Sequence, residues 1–125
     1  MIDHVSVPVR NLIASTAFYE QVLAPLGYAK LIERPATVGF GKKYPEFWLN
    51  LRDDMAASQS NTGAHVALRA ASEDAVRAFH VAALKMGGTS GGDPRTRPAA
   101  MTTYFGAFIC DPDGNKIEAV AFPPR

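Results

Sequence analysis

The sequence predicts an α+β fold made of two strand–helix–strand–strand–strand repeats, and three observations carry this. A shift of 61 places lays Asp3-His4-Val5-Ser6-Val7 over Ala64-His65-Val66-Ala67-Leu68, Ala17-Phe18-Tyr19 over Ala78-Phe79-His80, Leu23 over Leu84 and Gly27 over Gly88, without a gap. Each copy opens on a short alternating apolar run and passes into a helical stripe. After each helix come short apolar runs parted by turn residues. At 125 residues and 47% apolar composition the chain fits one domain, here repeat one over about 1–52, a linker over 53–62 and repeat two over about 63–125.

The elements follow in order. Val5 and Val7 mark the first strand, and Asn11 starts a helix carrying Phe18, Tyr19, Val22 and Leu23, closed by Pro25 and Gly27. Strands are expected over about 28–33, 37–41 and 46–52. In the second copy Val66 and Leu68 mark the strand. Ser72 is placed to cap a helix with Glu73 and Asp74 in its first turn, where the helix dipole favours negative charge. Val76, Phe79, His80, Ala83 and Leu84 form its expected buried stripe, and Gly87-Gly88 ends it. His80 falls where Tyr19 stands in the first copy, so packing is its expected role. A weak strand within 88–97 precedes strands over about 102–110 and 115–122. Asp111-Pro112-Asp113-Gly114 turns the last two into a hairpin.

Composition narrows the function. Thirteen Lys and Arg against twelve Asp and Glu give a net charge of +1, which offers no electrostatic footprint for nucleic acid or an anionic membrane. No apolar run approaches the ~20 residues of a membrane span. A single cysteine, Cys110, implies no oxidising compartment and is expected to be an inert core or strand-end residue. The opening Met1-Ile2-Asp3-His4 lacks the basic flank and apolar run of a signal peptide, so a cytoplasmic location is expected.

Strand parity gathers the polar residues. With Val5, Val7, Val66, Leu68, Leu49, Leu51, Phe105, Ala107, Ile109, Ile117, Ala119 and Ala121 under the helices, the opposite face receives His4, His65, Trp48, Asn50, Tyr104, Phe108 and Glu118. A curled face of that make-up is an aromatic-walled pocket with a few polar groups, the usual form of a small-ligand site. Arg95 and Arg97 fall in a Pro- and Gly-rich stretch expected to be a solvent-exposed loop, with contact to an anionic ligand open to both and Arg97 carried forward as a substrate contact.

This pattern resembles the vicinal oxygen chelate superfamily, which includes glyoxalases, bleomycin-resistance proteins and extradiol dioxygenases. The resemblance spans nearly the whole chain. It rests on His4 opening one repeat, Phe18-Tyr19, His65 opening the other, and Asp111-Pro112-Asp113-Gly114-Asn115-Lys116-Ile117-Glu118 closing it. It implies a cupped mixed sheet around a divalent metal (Fe, Mn, Zn or Ni) held by His4, His65 and Glu118, and a homodimer whose repeats pair within one chain or across two. The family's fourth ligand falls on the strand around Trp48, where laying 48–51 over 116–119 sets Asn50 opposite Glu118. Asn is a poor ligand for such an ion and cannot take a proton at neutral pH, so the glyoxalase I mechanism does not transfer directly. An epimerase needs a pair of carboxylate bases, and only Glu46 lies near the right strand, expected to face away.

The resemblance therefore implies a metal-dependent enzyme of lyase, dioxygenase or isomerase type acting on a small substrate with vicinal oxygens. Tyr104 and Glu118 are the catalytic candidates, and Trp48, Asn50, Phe108 and Arg97 the substrate contacts. The alternatives are a metal-free binding protein of the bleomycin-resistance kind and a thiol transferase of the fosfomycin-resistance kind.

Overall fold

A computed structural model describes residues 1–59 and 61–123. Ser60, in the expected linker, and the last two residues of repeat two lie outside the described residues. The first repeat is β1 (Val5–Val9), α1 (Leu12–Leu23), a short 3₁₀ turn (Ala24–Leu26), β2 (Ala29–Glu33), β3 (Thr37–Gly41) and β4 (Pro45–Leu51). The second is β5 (Val66–Arg69), α2 (Glu73–Lys85), β6 (Thr89–Pro98), β7 (Thr103–Cys110) and β8 (Lys116–Ala121). Each repeat makes its own four-stranded mixed sheet, ordered β1-β4-β3-β2 and β5-β8-β7-β6, with the first strand of each repeat parallel to the last.

Local chemistry sets these boundaries. The Asn11 side chain accepts the Ala14 amide at 3.0 Å and starts α1, and the Ser72 hydroxyl accepts the Ala75 amide at 3.1 Å and starts α2. Gly27 (φ +83°) and Gly87 (φ +96°) take the left-handed conformation that ends each helical segment, at little cost for a residue without Cβ. Pro8 sits in β1, a strand at the end of its sheet's order, where a missing amide leaves no ladder bond unmade.

Both helices lie on the inner faces of their sheets, and their shared core includes Phe18, Tyr19, Phe40, Phe47, Leu49, Phe79, Ile109 and Ile117, all fully or almost fully buried. The expected inner residues of β7 and β8 are buried as parity requires. Leu84 departs from its repeat partner. It is 45% exposed while Leu23 is fully buried, because the buried stripe of α2 runs through Val76, Phe79, His80 and Ala83 and leaves position 84 on its flank. Cys110 is buried at the end of β7.

The turn Asp111–Asn115 clasps the two repeats together. Tyr19 Oη on α1 donates to Asp111 Oδ2 at 2.7 Å, while the backbone amides of Asp113 and Asn115 donate to Asp111 Oδ1. Asn115 Nδ2 donates to the Pro8 carbonyl at 2.8 Å, and Arg10 Nε donates to Asp113 Oδ1 at 2.8 Å. Ser58 in the linker donates its amide to the Asp113 carbonyl. Burial pushes the Asp111 carboxyl above its ordinary pKa, and the Tyr19 and Asn115 bonds work against that rise. Burial raises the Tyr19 phenol further still, so this hydroxyl is a donor throughout the working range. Tyr19→Phe removes the donor and leaves a buried carboxylate short of a partner. We expect a loss of about 1–3 kcal/mol in urea unfolding, with the fold retained.

His80 is buried on α2, as its place opposite Tyr19 implies, and its Nε2 lies 2.9 Å from Ser90 Oγ, which in turn donates to Asp93. Burial lowers its pKa, with Asp93 pulling weakly the other way. Below the ordinary value near 6.5 the unfolded chain therefore binds a proton that the folded chain refuses, and stability falls as pH drops through that point. Melting His80→Gln beside the parent between pH 5 and 8 should show a shallower acid-side decline in the variant.

Candidate functional site

The outer face of the second sheet is built row by row from its ladders. Ala67, Glu118 and Phe108 lie side by side across β5, β8 and β7, and Gly106 pairs with Val120 in the next row. His65 immediately precedes β5, and Tyr104 lies two residues before Gly106 on the same face. Parity thus brings four of the expected residues together, and the contacts are specific. Glu118 is 3% exposed. Tyr104 Oη donates to its Oε2 at 2.6 Å, and His65 Nε2 stands 3.3 Å from its Oε1. The His65 ring meets Phe108 edge-on at 5.3 Å between centroids, while its Nδ1 faces the Gly63 carbonyl at 3.5 Å.

Gly106 makes this packing possible. A Cβ there would stand 2.6 Å from the Tyr104 ring and 3.1 Å from Glu118 Oε2. A glycine in mid-strand often marks such a close approach, and that signal was available in the sequence. Burial raises the Tyr104 phenol pKa and the bond to Glu118 adds to the rise, whereas Arg97 and Arg95 oppose it. Tyr104 is therefore a protonated donor that orients Glu118.

The first sheet gives a different surface at the equivalent place. Ser6, Trp48 and Gly39 form one row, and the Trp48 ring lies where a Cβ on Gly39 would come within 3.1 Å of it. Arg34 stands 5.6 Å from that ring's centroid. Ladder register corrects the expected correspondence of Asn50 with Glu118. Ser6 pairs with Trp48 as Ala67 pairs with Glu118, and Phe40 pairs with Phe47 as Ile109 pairs with Ile117. Trp48 is thus the structural counterpart of Glu118, and Asn50, paired with Pro8, is the counterpart of Val120. The alignment slipped by one pleat, which parity cannot detect because a shift of two keeps every side chain on its face. An indole in that place offers a wall in place of a ligand or base.

His4 is exposed, with Nδ1 2.8 Å from Asp3 Oδ1. It lines a cavity of about 370 Å³ together with His65, Tyr28 and Glu46. Glu46 therefore does not face away as expected: it shares the parity of Trp48, and a register shift at Gly41 leaves it beside this cavity. Among the described residues no three His, Cys, Asp or Glu side chains of one chain gather closely enough to hold a metal ion. His65 and Glu118 converge, and His4 does not join them.

Arg95 and Arg97 are corrected as well. They belong to β6, paired with Gly106 and Tyr104, because this strand at the end of its sheet absorbs its glycines and Pro94 in two register shifts. Arg97 is half-buried, donating Nε to the Gly106 carbonyl at 3.0 Å and Nη2 to the Asp93 carbonyl at 2.7 Å, with its guanidinium 5.0 Å from the Phe108 centroid.

A family model described as the Glyoxalase/Bleomycin resistance protein/Dioxygenase superfamily matches residues 1–119. The chain belongs to this superfamily. A solved glyoxalase/bleomycin resistance protein from Albidiferax ferrireducens is 28% identical over 95% of this chain and 97% of its own, with a TM-score of 0.84. The fosfomycin resistance protein FosX from Listeria monocytogenes shares the fold at 17% identity and TM-score 0.70, covering 98% and 93% of the two chains. A glyoxalase I mutant from Zea mays shares it at 23% identity and TM-score 0.73, covering 94% of this chain and 44% of that one. No curated protein sequence matches the chain. Glyoxalase-superfamily members commonly use a divalent metal and bind small molecules, and among the described residues no helix is long and apolar enough to cross a membrane.

Tyr104→Phe should leave Glu118 buried with one donor fewer, costing about 1–2 kcal/mol in denaturant unfolding. Gly106→Val, which drives the ring off the carboxylate, should cost more.

Proposed function

We propose that this protein is a metal-dependent enzyme acting on a small substrate with adjacent oxygens, its metal bound by His65 and Glu118 of one chain and His4 of a second copy in a symmetric dimer. The observation that carries the reading is the convergence of His65 Nε2 and Glu118 Oε1 at 3.3 Å, with the Phe108 ring edge-on to that imidazole. The residues fit a divalent ion in their chemistry. An imidazole nitrogen and a carboxylate oxygen face one point, and the other carboxylate oxygen is held by Tyr104 in the way supporting bonds orient ligands. One chain supplies two donors, and a two-fold partner donating His4 completes two equal sites. Two imidazoles and one carboxylate leave coordination positions open for substrate oxygens.

A divalent ion there supplies a Lewis acid that stabilises negative charge developing on an enolate or alkoxide oxygen. Around it, Phe108 and Trp48 are the walls that orient a flat or apolar substrate portion, and Asn50 offers an amide further along the first sheet. Tyr104 holds Glu118 in register and keeps a proton at its hydroxyl beside the reacting region. Arg97 faces the substrate from β6.

A second reading, a metal-free binding protein, is favoured by one observation: Trp48 stands where a fourth ligand would be. Metal titration separates the two. Wild-type protein should retain close to one divalent ion per chain, and His65→Ala or Glu118→Gln should weaken retention about tenfold or more with circular dichroism unchanged. Mixing His4→Ala with His65→Ala chains should restore one intact site per heterodimer. Retention by wild type without restoration would place both histidines of a site in one chain. A wild type that binds no ion leaves the binding protein as the reading.

A further inference from the structure

We propose that the site takes an anionic substrate, its carboxylate or phosphoryl-type oxyanion held by Arg97 and Lys116 at Phe108. This rests on the small-substrate reading above and names the substrate's charged group. The argument begins with a charge imbalance. The whole chain carries only +1, yet the outer face of the second sheet gathers Arg69, Arg95, Arg97 and Lys116 against a single carboxylate, Glu118. Among the described residues none of the four cations pairs with a carboxylate; the same holds for Arg34, Lys42, Lys43, Arg52 and Lys85, while Arg10, Lys30 and Arg77 do pair.

Two of the four contact one aromatic ring. The Arg97 guanidinium carbon lies 5.0 Å and Lys116 Nζ 4.9 Å from the same Phe108 ring centroid. That ring also meets His65. Arg97 is held in place by two backbone carbonyls, which fix the plane of the guanidinium and leave Nη1 without a protein partner among the described residues. The space around it is kept by glycine. A Cβ on Gly92 would stand 2.9 Å from Arg97 Nη2, and one on Gly91 would stand 3.3 Å from Lys116 Cε. A fixed, half-buried guanidinium with a free edge is a preorganised oxyanion receptor, and Lys116 on the same ring adds to its positive field. That receptor and the His65–Glu118 pair meet the same Phe108 ring, so both lie on one face of the sheet.

The test uses the full-length protein freed of metal with chelator, so the outcome does not depend on metal binding. Inorganic phosphate and pyruvate are titrated separately, with acetone as a neutral control, following the backbone amide resonances of Gly92, Gly106 and Phe108, which every variant retains. Saturable shifts with one or both anions and none with acetone are expected; the stronger anion identifies the group as phosphoryl or carboxylate. Arg97→Gln and Lys116→Gln should each weaken binding about tenfold, the worth of one charge-assisted contact, while Arg97→Lys loses less and Arg77→Gln nothing. Circular dichroism melts establish that the variants fold. Should Arg97→Gln lose its fold, Lys116→Gln, whose side chain donates to no protein acceptor among the described residues, decides the matter. Absence of saturable binding by both anions overturns the proposal, as does undiminished affinity in folded variants. The metal reading stands or falls separately on its own titration.

Discussion

Asp111 is a carboxylate with almost no access to water, and the relation between the two halves of the molecule depends on how it is satisfied. Burying such a group costs several kcal/mol unless its oxygens are occupied. Here a phenol from α1, two amides of its own turn and the Asn115 side chain occupy them, and Asn115 reaches on to the carbonyl of Pro8 in the first strand. A motif that looks like a solvent-exposed turn is therefore the joint between repeats. Because no backbone ladder joins the two sheets among the described residues, helix packing and this joint set their relative placement.

The duplicated architecture is used unequally. At matching register, one sheet presents a buried carboxylate with a tyrosine and a histidine, and the other presents an indole laid over a glycine. Both arrangements exploit a missing Cβ, Gly106 under Tyr104 and Gly39 under Trp48. The same structural solution thus delivers donors on one side and a hydrophobic wall on the other. The donors lie on the second repeat and the indole on the first.

Much of this was legible in the residues. The repeat fixes element order because strand and helix periodicities recur at one spacing, and alternation assigns faces because buried apolar side chains leave no choice of parity. His65, Tyr104, Phe108 and Glu118 meet for that reason. Register within a strand is less visible: Asn50 and Trp48 share a face, and only ladder pairing tells them apart. Only a weak strand is legible within 88–97, and the stretch carrying Arg95 and Arg97 looks like loop, because Gly91, Gly92 and Pro94 are poor strand formers; tertiary pairing with β7 overrides that preference. The Asp111 joint was hidden because its partners are some ninety residues or more away in sequence.

The irregular path of β6 has a further consequence for how copies of the chain meet. It ends its sheet, and an end strand with a regular row of free amides and carbonyls invites another sheet to join it. Two breaks in pairing, a proline and projecting charges interrupt that row. Strand-by-strand polymerisation is therefore discouraged on this flank.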